Sequence, residues 1–234
     1  MPKSFFEVEN FGQVAIFRRR GLRNIRLSVS HAGEVRLSLP WYVPKSTGIK
    51  YLRSKEDWIK KQLSRANDLS MKNGQLIFSN VSLKIVYSAN ERLITNQNNR
   101  QFTVIIPKSY SKVKAEAAAQ RALNKFMVKQ AKNQLMSRVE NLAKQHGYSY
   151  ESLKFRNLKS RWGSCDHRKN ITLNTGLLRL EEEFINYVII HELVHTRHLN
   201  HSAKFWQEVR NFTGDYQKIK RQLKNFSPHL KIRL

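Results

Sequence analysis

The stretch His191-Glu192-Leu193-Val194-His195-Thr196-Arg197-His198-Leu199-Asn200-His201 decides how this chain is read. It holds four of the chain's eight histidines and contains H-E-x-x-H. On a helix, positions i and i+4 project from one face, so His191 and His195 can chelate a single ion. Glu192 points to a different side of the turn and can reach a metal-activated water as general base. The residues before it, Phe184, Tyr187, Val188, Ile189 and Ile190, give that helix a packed apolar side. A two-histidine chelate needs such a rigid support.

A hydrolytic zinc site requires a third protein ligand and one open position. His201 lies six residues after His195, beyond Asn200, which can end the helix and turn the chain back. Glu208 on the next helix is a second candidate. His198 is a third, though it would crowd His195 on one turn. The spacing also fits the longer pattern H-E-x-x-H-x-x-G-x-x-H. That reading fails, because His198 occupies the glycine position and all four methionines (1, 71, 127 and 136) lie upstream.

The first hundred residues alternate apolar and polar side chains as half-buried strands do. Strands are expected over 13–17, 24–29 and 34–39, with His31-Ala32-Gly33 as a hairpin connection. A helix is expected over 46–67, on the spacing of Ile49, Leu52, Ile59 and Leu63. Strands over 75–79, 81–87 and 102–106 follow, with another near 91–96. A long helix runs from about Ser111 to His146 without Pro or Gly, and Gly147 suits its C-terminus. Leu153–Leu158 and Asn170–Asn174 form a strand pair. Asn170–Asn174 is the expected edge on which an extended substrate would pair. Helices over 181–198, 202–212 and 215–226 finish the chain. No internal repeat is evident. The expected architecture is α+β: a β-rich N-terminal part with one helix, residues 1–107, then a helical metal-binding hydrolase part, residues 108–234.

Composition narrows the setting. With 43 Lys and Arg against 17 Asp and Glu, the net charge is +26. The excess is uneven: residues 1–100 hold 18 basic and 7 acidic side chains, whereas residues 151–200 hold 8 and 6. The densest chemistry therefore sits in the least charged stretch. The surplus elsewhere attracts polyanions by counterion release, so a nucleic-acid partner through the basic surface is one expectation. A single cysteine, Cys165, excludes an internal disulfide framework. With no apolar run near the ~18 residues of a membrane span, a cytoplasmic setting and no membrane association are expected. Oligomeric state is not legible.

Four segments together resemble a known family. They are Lys159-Ser160-Arg161-Trp162-Gly163-Ser164-Cys165, Asn170-Ile171-Thr172-Leu173-Asn174, Tyr187 to His195, and Asn200-His201-Ser202-Ala203-Lys204-Phe205-Trp206. They look like the YgjP-like metallopeptidases, relatives of the SprT-like zinc peptidases. Arg18 to Arg26 and Trp58-Ile59 resemble that family's start. The resemblance implies a zincin-like fold in the second part, Zn²⁺ on His191, His195 and His201, Glu192 as the catalytic glutamate, and a polypeptide substrate. Three other uses of the site stay open: hydrolysis of a phosphate ester or anhydride such as a nucleoside triphosphate, proteolysis of nucleic-acid-bound proteins, and a purely structural zinc. The donor for a tetrahedral oxyanion is not identified, although Arg197 or a tyrosine has the chemistry. Cys165 reads as a buried, inert thiol, and Trp162, Phe205 and Trp206 as packing residues.

Overall fold

The computed structural model describes residues 3–8, 12–29, 34–68 and 70–232. The chain divides into two compact units, Met1–Ser70 and Met71–Leu234. Pro107, where the sequence suggests a boundary, lies inside the second.

The first unit holds β1 (Lys3–Val8), β2 (Gly12–Arg19), β3 (Arg26–Val29) and β4 (Val35–Pro40) in a sheet of order β1-β2-β4-β3. Strands β2 and β4 are parallel, with Ile16 opposite Leu37, and β3 pairs antiparallel with β4. The expected connection at 31–33 falls outside the described residues. Two helices follow, α1 (Lys45–Ser54) and α2 (Glu56–Asp68), where the periodicity predicts one. The break is at Lys55, whose amide bonds back to Leu52. Glu56 and Asp57 then open α2, where acidic side chains suit the positive end of the helix dipole. The alternating inward residues Val14, Ile16, Val35, Leu37 and Leu39 meet Leu52 and Ile59 in a closed core. A two-residue strand, β5 (Ser70–Met71), marks the unit boundary.

The second unit opens with β6 (Leu76–Phe78), β7 (Val81–Ser88), β8 (Ile94–Gln97) and β9 (Gln101–Pro107), in the order β6-β7-β9-β8. Again the second and fourth strands are parallel and the third is antiparallel to the fourth. This repeats the topology of the first sheet, a likeness invisible in residue identities. It also explains why Pro107 looks like a boundary. Proline has no N–H to extend a ladder, so Pro40 and Pro107 each end the parallel strand. In each case a helix starts five residues later, at Lys45 and Lys112.

That second helix is α3 (Lys112–Gln145), capped by Ser111, whose hydroxyl accepts from Lys114 N–H, and followed by Gly147 at φ +68°. Its buried stripe, Ala119, Leu123, Met127, Ala131 and Leu135, forms the spine of the larger core. Beyond it come β10 (Ser152–Arg156), β11 (Gly163–Cys165) and β12 (Asn170–Asn174), then a 3-10 turn over Thr175–Arg179. The remaining elements are α4 (Glu182–Val194), α5 (Ala203–Thr213), α6 (Tyr216–Leu223) and β13 (Lys231–Ile232). Strands β10 and β12 form the expected pair, in parallel, but β11 adds antiparallel on the other side. Asn170–Asn174 is therefore the central strand of three, with both edges used. It cannot accept a substrate strand, and the expectation placed on it is corrected: the free edge beside α4 belongs to β11.

Helix α4 is buried nearly all round, with Phe184, Ile185, Tyr187, Val188, Ile189, Ile190, Leu193 and Val194 all in the core. Arg138 on α3 ties it down through Asn186 (2.7 Å) and Glu182 (3.2 Å). Close packing also fixes the turn before α4. A Cβ on Gly176 would stand 2.5 Å from the Pro228 carbonyl oxygen, a backbone atom with nowhere to go. Gly176→Ala is therefore expected to cost about 1–3 kcal/mol of stability, as overpacking does. Denaturant unfolding of the purified variant checks this; an unchanged midpoint would refute it.

Candidate metal centre

Helix α4 ends where the chemistry begins. His191 and Glu192 lie in its last turn and His195 caps it. The chain turns through 196–201 and enters α5 at Ser202, whose hydroxyl accepts from Phe205 N–H. This loop returns His201 to the helix end. One nitrogen from each of His191, His195 and His201 lies within 4.8 Å of the other two, and the Nε2 atoms of His191 and His201 are 3.1 Å apart. Phe205 is fully buried beneath all three rings, with centroids 4.9, 4.5 and 4.7 Å away. Trp206 lies along His201, 5.3 Å between centroids.

The electrostatics favour lone pairs over protons. Burial, with His195, His201 and Lys220 adding to it, pushes His191 down to about 3. Burial also lowers His195 and His201. All three imidazoles are therefore neutral near pH 7, as metal ligation demands. The Nδ1–H of His195 donates to the His198 carbonyl at 2.9 Å, which leaves its Nε2 lone pair for an ion. Such a cluster of neutral nitrogen donors fits a divalent metal ion.

Glu192 is 5% exposed, and its Oε2 has no hydrogen-bond partner. Burial pushes its carboxyl up to about 8, against a smaller opposing effect of Arg161. A buried, unpaired carboxylate is costly, and the charge of an adjacent cation offsets that cost. The same residues thus leave an electrostatic place for a metal.

Glu208 and His198, the other candidates for a third ligand, are engaged with each other instead. Glu208 accepts from Tyr148 Oη (2.6 Å) and Arg197 (2.9 Å), and it pairs with His198 Nε2 at 2.7 Å. Burial alone would raise the Glu208 carboxyl, but these hydrogen bonds outweigh it and hold it low. Arg197 also donates to the Gly147 carbonyl (2.6 Å) and lies over the Tyr148 ring. These contacts make Arg197 part of the brace around Glu208. The cluster fixes His198, whose carbonyl orients His195.

Sequence reasoning assigned no role to Gly163. A Cβ there would stand 2.6 Å from Glu192 Oε1 and 2.7 Å from its Cγ. Only glycine lets β11 lie directly against the carboxylate. The signal was present in Trp162-Gly163-Ser164, but spacing alone gives no reason for a missing side chain. Trp162 is half-buried and packs on the core, and its carbonyl accepts from Asn174 N–H.

The profile of the YgjP-like metallopeptidase domain matches residues 23–226. The chain belongs to the YgjP-like metallopeptidase family. The match begins in the first unit and runs through the second. Two solved structures are similar over part of the chain. The metallopeptidase zymogen abylysin of Pyrococcus abyssi is 27% identical, with 42% of this chain and 99% of that one covered and a TM-score of 0.36. The zymogen jannalysin of Methanocaldococcus jannaschii is 22% identical, with 39% and 94% covered and a TM-score of 0.36. No curated protein matches. No helix among the described residues is long and apolar enough to cross a membrane.

Two outcomes are expected. Gly163→Ala should push the Glu192 side chain aside, because the added Cβ would stand 2.6 Å from its Oε1, and cost about 1–3 kcal/mol of stability as overpacking does; an unchanged denaturant midpoint would refute the contact. Burial, then the charges of Glu192 and Asp166, raise the Cys165 thiol to about 11. At pH 8, iodoacetamide should alkylate it at least about tenfold more slowly than a free cysteine, since the thiolate is the nucleophile. Mass spectrometry over time checks this, and a rate equal to that of glutathione would contradict it.

Proposed function

We propose that this YgjP-like protein is a zinc-dependent peptidase, with His191, His195 and His201 holding Zn²⁺ and Glu192 as general base. The observation that carries the reading is the convergence of three neutral imidazole nitrogens beside a buried carboxylate on the same helical turn. Three nitrogen donors suit zinc and leave the open position that a hydrolytic site needs. When bound, the metal supplies Lewis-acid polarisation of the scissile carbonyl and acidifies water.

The protein's own residues do the rest. Glu192, held against Gly163, takes a proton from the attacking water and returns it to the leaving amine nitrogen. Its buried setting makes proton uptake easy, which suits a group that must both accept and donate. Phe205 excludes water beneath the imidazoles, and the His198 carbonyl keeps His195 in one tautomer. The free edge of β11 beside α4 offers backbone groups to an extended polypeptide. The substrate is a polypeptide in a reducing, cytoplasmic setting, which the single cysteine supports.

The test pairs metal analysis with activity. Wild type is expected to carry about one zinc per chain, lost in His195→Ala and kept in Glu192→Gln. Casein cleavage should vanish in Glu192→Gln. Release of phosphate from nucleoside triphosphates that depends on Glu192, with casein untouched, would replace the peptidase reading by a phosphohydrolase. Absence of bound metal in wild type would overturn the site itself.

A further inference from the structure

The first unit carries a surface that the metal centre does not explain. Strands β2 and β4 run in parallel, with Arg18 opposite Leu39 and Arg19 opposite Pro40. The segments that leave them therefore emerge together at one end of the sheet. One is Arg20 to Arg23; the other is Trp41-Tyr42. Two hydrogen bonds join them: Tyr42 Oη donates to the Arg23 carbonyl, and Arg18 donates to the Val43 carbonyl, each at 3.3 Å.

Two features of this end stand out physically. Arg18, Arg19, Arg20 and Arg23 are all exposed, and none forms an ion pair among the described residues. Between Gly12 and Lys55, Glu34 is the sole acidic residue, and it pairs with Arg36 at 2.6 Å. Beside these cations Trp41 and Tyr42 are each 61% exposed, with their rings edge to face at 6.1 Å. Two adjacent aromatic rings left in water are unfavourable for the fold alone. The Tyr42 hydroxyl is anchored to backbone, so its ring is held in place rather than free to bury itself.

We infer that this end of the first sheet binds single-stranded nucleic acid. Guanidinium groups recognise phosphate through paired donors and stack on planar faces. Exposed Trp and Tyr rings stack on unpaired bases whatever their sequence. An acidic peptide would satisfy the arginines but leave the rings unused. A duplex would keep its bases stacked and out of reach. A membrane surface calls for a broad exposed aliphatic face beside the aromatics, whereas the aliphatic neighbours here, Leu22 and Val43, are both half-buried.

The test is fluorescence anisotropy of labelled oligothymidylate and oligouridylate of about 15 nucleotides, near the site size of such surfaces, with the full-length protein over a salt series. The two oligonucleotides separate DNA from RNA. Trp41→Ala with Tyr42→Ala leaves the charge unchanged and is expected to weaken binding about tenfold or more, the stacking loss, with little change in salt slope. Arg19→Glu, Arg20→Glu and Arg23→Glu together should abolish binding. The Gln triple at the same positions should flatten the salt slope by ~0.7 for each phosphate that is no longer neutralised. Lys132→Glu, Lys144→Glu and Lys154→Glu, exposed cations of the second unit, match the charge change of the Glu triple and should leave affinity within about threefold if the patch rather than net charge binds. Unfolding midpoints confirm that each variant folds. Equal loss in the lysine control, no effect of the aromatic pair, stronger competition by polyglutamate or anionic vesicles than by oligonucleotide, or no binding by wild type would each overturn the inference.

Discussion

Three neutral imidazoles whose nitrogens converge within 4.8 Å of one another form the constraint around which the second unit is built. Such lone pairs repel unless something positive lies between them. Holding them there requires backbone that does not relax. The helix that carries two of them is accordingly buried nearly all round, and the loop that returns the third is pinned at both ends. At one end the His195 ring bonds to the His198 carbonyl. At the other, Ser202 caps the next helix.

The supports are of two kinds. Phe205 is an apolar floor shared by the three rings, so one side chain sets their common depth. The Tyr148, Arg197, His198 and Glu208 cluster is polar and joins the end of α3, the turn after α4 and the body of α5. Its Glu208 carboxylate is satisfied by three partners, whereas Glu192 keeps an oxygen without any. Two glutamates sixteen positions apart thus differ in environment, and that difference separates the brace from the proposed base.

Much of this was legible in the sequence. The four-residue spacing of His191 and His195 puts them on one face whatever the tertiary context, and Asn200 announced the turn that returns His201. Strand alternation over the first hundred residues gave the β-rich start, and Gly147 ended the long helix. What was not legible depended on partners far away in sequence. Gly163 matters because of Glu192, twenty-nine positions on, and no local pattern reports a contact that forbids a side chain. Glu208 offered metal-binding chemistry, and only its three neighbours reveal that it is engaged elsewhere. The short β11 has three residues and no periodicity to read, so β12 passed for an edge. The helix break at Lys55 lies within an unbroken apolar rhythm. The shared topology of the two four-stranded sheets resides in strand order, which residue identities do not record.

On the proposed function, His191, His195 and His201, and not Glu208 or Glu192, hold the metal. A crystal of the zinc-loaded protein, measured on both sides of the zinc absorption edge, tests it most directly. The account predicts one anomalous peak with a nitrogen from each of the three imidazoles at about 2.0–2.1 Å and Glu192 outside bonding range. A peak bonded to Glu208 or to the Glu192 carboxylate, or one that leaves His201 uncoordinated, would contradict it.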